Sequence, residues 1–171
     1  MDLVSFEADV LALVEALGGA LRLRGWRMAT AESCTGGLIA AACTAVAGSS
    51  DWFERGFVSY SNAAKNELLG VPETLINQHG AVSEAVARAM ALGALSRAPV
   101  QISVAVTGIA GPGGAVPGKP VGTVWLALAC TGPPTRVLAQ QLHLAGDRTA
   151  VRMQTVALAL RALRQQVALA L

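Results

Sequence analysis

Apolar positions follow helical spacing near the start of the chain. Between residues 10 and 21 they recur at every third or fourth position, which predicts an amphipathic helix over about residues 6–24. Gly18 and Gly19 lie inside this pattern and weaken it. Four more helices are predicted: over residues 36–48, over about residues 62–69, from Ser83 to just before Pro99, and from near Asp147 to the end of the chain.

Five shorter stretches are rich in apolar and β-branched residues and are bounded by turn residues, which predicts strands. In chain order they are "WRMATAE", which ends at Glu32, then "GFVSYS", "QISVAVTG", "GTVWLALAC" and "TRVLAQQLHL". The earlier strands alternate with helices, whereas the last two form a predicted hairpin across "TGPP". This order predicts an α/β fold, a three-layer α/β/α sandwich with a mixed β-sheet. Since no repeat or linker interrupts it, we expect residues 1–171 to form a single domain.

Composition and charge narrow the class of protein. The chain is 53% hydrophobic and only 14% charged, which favours a packed core over disorder. Its net charge of +2 comes without a basic run, so the sequence gives no support for nucleic-acid binding. Three cysteines without a CxxC pair and two histidines make a metal site unexpected.

The sequence also gives no sign of export or membrane insertion. The N-terminal stretch "MDLVSFEADV" is acidic and lacks the basic region of a signal peptide, and the apolar runs are too short or too interrupted to span a bilayer. An odd, sparse set of cysteines is typical of reduced thiols. We therefore expect a cytoplasmic protein.

The stretch "TAESCTGG" places three candidate side chains, Ser33, Cys34 and Thr35, between a strand and a helix. Free backbone N–H groups gather at a helix start and can hold an oxyanion. On these residues alone, the favoured interpretation is that Ser33 or Thr35 caps the helix. The alternative is that Ser33 is a nucleophile. The stretch does not match the G-x-S-x-G elbow of α/β-hydrolases.

A second stretch, "FVSYSNAAKNELLGV", offers a base for such a nucleophile. If the strand ends near Tyr60 and Asn62 caps the next helix, Lys65 lies about one turn along that helix. A desolvated lysine can act as a base, because burial lowers its pKa. The commoner situation is an exposed lysine beside a core tyrosine, and this stretch alone favours it.

Two further segments suggest ligand contacts. A strand ending at Thr107 and Gly108 opens into a glycine-rich loop, a common ligand-site layout that here lacks any nucleotide fingerprint. Lys119 in that loop is a candidate lid cation but is more typical of a surface charge. On the final helix, Arg148 and Arg152 are four apart and can either grip a phosphate or form a solvated stripe.

Taken together, four segments and a following "GDR" resemble one family. The segments are "TAESCTGG", "GSSDWFERGFVSYSNAAKNELLGV", "HGAVSEAVARAMALGAL" and "VTGIAGPGG…KPVGTVWLAL". Their order and spacing are similar to those of the CinA C-terminal domain family, which includes the stand-alone nicotinamide-nucleotide amidase. The resemblance implies hydrolysis of the amide of nicotinamide mononucleotide, without a metal or other cofactor. It also implies that Ser33 is the nucleophile and that Tyr60 and Lys65 complete the catalytic set.

These expectations define a candidate mechanism and its alternatives. We expect Ser33 to attack the carboxamide, Lys65 to take its proton, Tyr60 to position Lys65 or relay the proton, and N–H groups near Gly36 and Gly37 to stabilise the oxyanion. The predicted substrate-binding residues are Thr35, Gly36, Gly37, Asn62, Thr107, Gly108 and Arg148. Two alternatives remain, a non-catalytic nucleotide-binding or regulatory module and a cysteine amidase that uses Cys34. A homodimer is expected from the alanine- and leucine-rich helices.

Overall fold

The computed structural model describes residues 3–169, with side chains described from residue 8 onward. The predicted domain of residues 1–171 extends at both ends beyond the described residues. The helices are α1 (Leu3–Arg24), α2 (Leu38–Thr44), α3 (Asn62–Leu69), α4 (Glu73–His79), α5 (Glu84–Ser96) and α6 (Arg148–Leu169), with a 3₁₀ turn at Ser49–Asp51. The strands are β1 (Met28–Glu32), β2 (Phe53–Val58), β3 (Ile102–Gly108), β4 (Thr123–Cys130) and β5 (Arg136–His143).

The five strands form one mixed sheet in the order β2-β1-β3-β4-β5. Strand β1 pairs in parallel with both β2 and β3, whereas β4 runs antiparallel to β3 and to β5. The carboxyl ends of β1, β2 and β3 therefore lie at the same edge of the sheet. The predicted mixed sheet and its late hairpin are confirmed.

Helices cover both faces of the sheet, as the sandwich prediction requires. On β3, Ile102, Val104 and Val106 point into the larger core, which α1, α2 and α6 close. Between them, Ala105 joins the second core with α3, α4 and α5, and the Ser103 hydroxyl donates to a carbonyl of α5 over 2.7 Å. Alternation of large and small side chains thus lets β3 pack against helices on both sides. The predicted three-layer α/β/α sandwich is confirmed.

Two predicted boundaries were wrong and one helix was missed, each for a local reason. Helix α2 begins only at Leu38, because Gly36 and Gly37 adopt left-handed backbone angles, with φ of 62° and 97°. Strand β2 ends at Val58, so Tyr60 lies beyond it. Helix α4 was not predicted. It follows the "GVP" stretch and buries only Ile76, so its sequence has no helical apolar pattern.

Candidate active site

The serine of "TAESCTGG" directly follows β1 at the edge where the parallel strands end. Its backbone N–H donates to the Val106 carbonyl of β3 over 3.0 Å, and the Ser59 N–H beyond β2 donates to the Glu32 carbonyl over 2.8 Å. These bonds extend the sheet by one residue on either side of β1. Ser33 is therefore fixed to a rigid element, and only 8% of its surface is exposed.

The lysine of α3 reaches this serine. Lys65 Nζ lies 3.0 Å from Ser33 Oγ, 3.0 Å from the Ser59 carbonyl oxygen and 3.3 Å from the Tyr60 carbonyl oxygen. The side chain is 1% exposed, and no carboxylate among the described residues forms a salt bridge with it. Desolvation therefore lowers the pKa of Lys65, and the nearby Cys34 opposes this only in part.

Helix α3 is positioned by a cap that differs from the prediction. The Ser61 hydroxyl, not the Asn62 side chain, accepts the Ala64 N–H over 3.0 Å and so caps the helix. Serine adopts the extended backbone of an N-cap, and its short side chain reaches back to the first turn. Asn62 instead becomes the first helical residue and lines the cleft beside Lys65.

Tyr60 lies in the site, but in another arrangement from the one predicted. Its side chain is 60% exposed, and its hydroxyl accepts a hydrogen bond from Arg148 Nη2 over 3.1 Å. Its carbonyl, not its hydroxyl, contacts Lys65. Arg148 also donates from Nη1 to the Gly111 carbonyl over 2.9 Å, so it joins α6 to the glycine-rich loop.

Glu32 is a central residue that the sequence did not single out. Its carboxylate is fully buried and accepts the N–H groups of Gly37, Ile39 and Ala40. The predicted caps were therefore wrong, because neither Ser33 nor Thr35 accepts these bonds. The Thr35 hydroxyl instead donates to Glu32 over 2.6 Å. A glutamate followed three residues later by threonine, just before a glycine pair, is the signal that sequence reasoning passed over.

The same contacts conflict with the predicted oxyanion donors. The Gly36 N–H donates to the Ser33 carbonyl over 3.1 Å, and the Gly37 N–H donates to Glu32 over 3.0 Å, so both are occupied. The N–H groups of Cys34 and Thr35 donate to no other residue among residues 3–169. The unpaired donors thus lie directly after the serine.

Cys34 shares the cleft wall with Ser33. The thiol also belongs to the larger core and is 6% exposed. Burial raises its pKa to about 11. It is therefore a thiol, not a thiolate, near neutral pH.

A cleft of about 200 Å³ collects most of the predicted site. Seven predicted residues line it: Ser33, Tyr60, Asn62, Lys65, Thr107, Gly108 and Arg148. Cys34, the alternative nucleophile, also lines it, together with three residues that were not predicted: Ala81, Val82 and Ala110. The predicted Thr35, Gly36 and Gly37 are not among its lining residues.

One predicted contact residue and two further candidates are engaged with the protein itself. The Thr107 hydroxyl donates to the Ala81 carbonyl over 2.9 Å. Arg152 donates to the Thr35 carbonyl over 2.9 Å and does not line the cleft, so it does not join Arg148 there. Lys119 likewise donates to the carbonyls of His79 and Val82, at the turn before α5. Of these three residues, Thr107 alone lines the cleft.

The described residues contain neither a metal-binding cluster nor a membrane-spanning helix. Among side chains from residue 8 onward, no three His, Cys, Asp or Glu residues are grouped so as to hold a metal ion. None of the described helices combines the length and the apolar character needed to cross a membrane.

Fold and site together define the class: an α/β/α sandwich protein with a buried serine–lysine pair in a cleft where its parallel strands end. The sequence matches the CinA C-terminal domain over residues 10–167, and the chain belongs to that family.

Named relatives and a solved structure agree with this assignment. The chain is 55% identical over 150 residues to the nicotinamide-nucleotide amidohydrolase PncC of Enterobacter agglomerans, covering 87% of this chain and 90% of the relative. It is 50% identical over 160 residues to the protein of the same name from Escherichia coli strain K12, covering 94% and 96%. The crystal structure of competence/damage inducible protein CihA from Agrobacterium tumefaciens superposes with a TM-score of 0.87 at 45% identity, covering 91% and 93%.

Proposed function

We propose that this protein is an amidohydrolase that converts nicotinamide mononucleotide to nicotinate mononucleotide and ammonia, a step in the recycling of pyridine nucleotides. The observation that carries the proposal is the 3.0 Å contact between Ser33 Oγ and the buried Lys65 Nζ. Its substrate follows from relatives that are at least half identical over nearly the whole chain and are named nicotinamide-nucleotide amidohydrolase.

The hydrogen-bond geometry around Lys65 suits a neutral amine. A neutral amine has two N–H groups and one lone pair, and Nζ has two carbonyl neighbours and one hydroxyl neighbour. The N–H groups can donate to the Ser59 and Tyr60 carbonyls. The lone pair then faces Ser33 and can accept its proton.

Acylation follows from this arrangement. Ser33 Oγ attacks the carboxamide carbon while Lys65 takes the hydroxyl proton, which gives a tetrahedral oxyanion. The unpaired N–H of Cys34, with that of Thr35, is the proposed oxyanion donor in place of Gly36 and Gly37; one such donor typically contributes about 3 kcal/mol. The C–N bond then breaks, and protonated Lys65 returns the proton to the departing ammonia.

Deacylation uses the same residues in reverse. Lys65, neutral again, takes a proton from a water molecule that attacks the ester carbonyl. The bond between the acyl carbon and Ser33 Oγ then breaks, and Lys65 returns the proton to the serine. Nicotinate mononucleotide leaves and the starting state is restored.

Arg148 is the proposed partner of the substrate phosphate. Lys65 and Arg148 are the cations that line the cleft, and Lys65 is engaged with Ser33. The Arg148 guanidinium is held by Tyr60 and Gly111, which pre-orients it for a phosphate oxygen. Tyr60 therefore serves at the substrate end of the cleft through its hydroxyl and at Lys65 through its carbonyl.

The location proposed for this reaction is the cytoplasm. All three cysteines are free and buried, as is typical of a protein that works in a reducing compartment.

The decisive measurement is ammonia release from nicotinamide mononucleotide by the wild-type protein, Ser33→Ala and Cys34→Ala. We expect Ser33→Ala to lower kcat/KM by about 1000-fold or more, because the covalent route is lost. Cys34→Ala is the matched control at the neighbouring cleft position, and it should keep kcat/KM within about threefold, because the buried thiol is protonated.

The amidase activity and the choice of Ser33 as nucleophile are contradicted by different results. An inactive wild-type protein that still binds the mononucleotide in calorimetry contradicts the amidase proposal and favours a non-catalytic binding module. A loss in Cys34→Ala as large as that in Ser33→Ala transfers the nucleophile to the thiol.

A further inference from the structure

The Glu32 carboxylate is buried without a cationic partner. Its surface exposure is 0%, and no described Arg or Lys forms a salt bridge with it. Five donors converge on its two oxygens: Thr30 Oγ1 at 3.2 Å, Thr35 Oγ1 at 2.6 Å, and the N–H groups of Gly37 at 3.0 Å, Ile39 at 3.0 Å and Ala40 at 2.8 Å. Burying a charged group is costly unless such bonds compensate it. Packing alone therefore does not explain why a glutamate occupies this buried position.

The five donors lie on both sides of the serine. Thr30 precedes Ser33 on β1, whereas the other four donors belong to the turn and to the start of α2. The carboxylate thus closes a short loop around Ser33 and Cys34. Arg152 fixes the same loop from α6 through its bond to the Thr35 carbonyl.

We propose that Glu32 is a positioning residue for the reaction at Ser33. Its carboxylate holds residues 33–37 in the one conformation that aims Ser33 Oγ at Lys65 and leaves the Cys34 N–H unpaired for the oxyanion. Glu32 does not line the cleft. This inference rests on the proposed serine mechanism and adds to it a residue that acts only through the turn.

The isosteric variant Glu32→Gln tests this directly. A glutamine side chain has one acceptor oxygen and an NH₂ group that only donates. Oε1 of Glu32 accepts two of the five bonds and Oε2 accepts three. Whichever way the amide is oriented, at least two donors lose their acceptor and face another donor, so the turn must shift.

Two measurements on folded protein separate an effect of Glu32 on the position of Ser33 from an effect on the stability of the protein. One is steady-state ammonia release from nicotinamide mononucleotide. The other is labelling of Ser33 by a fluorophosphonate, followed by intact mass. In that reaction the Oγ–P bond forms, the P–F bond breaks, fluoride leaves and the serine proton passes to Lys65. The probe needs the same nucleophile geometry but not the natural substrate.

We expect Glu32→Gln to lower kcat and the labelling rate by about 100-fold, since small misplacements of reacting groups have effects of that size. KM should stay within about threefold of the wild-type value. Glu32→Asp keeps both oxygens one methylene shorter and should be intermediate. The matched control is Ser103→Ala, which removes another buried hydrogen bond, to the Ala91 carbonyl, on the opposite face of the sheet. It should lower the melting temperature but leave kcat and labelling unchanged.

Wild-type kcat and labelling rate in Glu32→Gln overturn the inference. If that variant does not fold, Glu32→Asp decides: a reduced kcat at unchanged KM supports the inference, and a wild-type kcat overturns it. If the wild-type protein labels but releases no ammonia, the proposed function fails while the labelling comparison still tests Glu32. A wild-type protein that neither labels nor releases ammonia overturns both.

Discussion

Lys65 occupies a position that is usually held by an apolar side chain. Among the side chains from residue 8 onward it is one of the largest that are almost fully buried, together with Trp52 and several leucines. An ammonium ion is poorly solvated there, and its neighbours are carbonyls and a hydroxyl, not a carboxylate. Burial therefore shifts the balance towards the neutral amine that a general base must be.

The pH dependence of the reaction should report this lysine. The base must be neutral, so kcat/KM is expected to rise with pH through the pKa of Lys65 and then reach a plateau. Because desolvation lowers that pKa below the usual lysine value of about 10.4, the rise should be centred at a lower pH than the titration of an exposed lysine. The measurement is kcat/KM for ammonia release at pH values above 7, where the substrate phosphate, with a second pKa near about 6, no longer titrates.

Lys65→Arg is the control for that profile. Arginine keeps the positive charge but has no accessible neutral form, so its kcat/KM should be at least about 100-fold lower and should show no rising limb. A wild-type kcat/KM that falls with pH over this range, or that rises only near pH 10, contradicts a neutral Lys65 as the base.

At the residue scale, the sequence predicted which side chains meet but not how the turn is held. The meeting of Ser33 and Lys65 was expected from the resemblance to the CinA C-terminal domain family, since each stretch alone favoured a capping serine and an exposed lysine. Glu32 could not be assigned, since a glutamate at a strand end is usually exposed and only the folded turn brings five donors to it. For the same reason, the oxyanion donors were predicted at Gly36 and Gly37, whose N–H groups are bonded within the turn.

At the scale of elements, α1 contains two adjacent glycines with opposite surroundings. A Cβ on Gly18 would lie 2.8 Å from Nε1 of the fully buried Trp52, whereas a Cβ on Gly19 has no heavy atom within 4 Å. Gly18 thus allows α1 to approach the Trp52 ring closely. Gly19 has no such role in the structure.

Alanine substitutions at this pair should have opposite effects on stability. We expect Gly19→Ala to raise the free energy of unfolding by up to about 1 kcal/mol, because alanine is the better helix former. Gly18→Ala should lower it by about 1–3 kcal/mol through overpacking against Trp52. Urea denaturation of the two variants beside the wild-type protein measures both effects. Equal shifts in the same direction contradict this account of α1.

Element prediction succeeded where apolar periodicity is strong and failed where backbone geometry decides. The β-branched stretch of β3 and the capped start of α5 at Ser83 were predicted, because pattern and local chemistry agree there. Helix α2 begins later than predicted, since Gly36 and Gly37 lie in a left-handed turn in which Gly36 donates to Ser33 and Gly37 to Glu32. Such constraints come from tertiary structure and leave no periodic signal.

At the scale of the whole molecule, the cleft is assembled from distant parts of the chain. Its lining residues come from the ends of β1 and β3, from α3 and the residues before it, from the turn before α5 and from the start of α6. The larger core joins α1 to α6 on one face of the same sheet. The site therefore depends on the complete fold, which supports the proposal that residues 1–171 act as a single domain.

Unfolding should accordingly occur in one cooperative transition. We expect the urea midpoints from far-ultraviolet circular dichroism, tryptophan fluorescence and residual ammonia release to coincide, because the two cores share the strands of one sheet. A midpoint that rises with protein concentration would additionally report the predicted homodimer. Two resolved transitions contradict a single domain.

Sequence separation divides the site into parts that form early and late during folding. The five bonds to Glu32 span between two and eight residues, whereas the contact between Ser33 and Lys65 spans 32. Closing a short loop loses less chain entropy than closing a long one, so the turn around Ser33 can form before α3 arrives. A nascent or partly folded chain then holds Ser33 in its native turn without Lys65 beside it. Hydrolysis becomes possible only when the late tertiary contact between Lys65 and Ser33 forms.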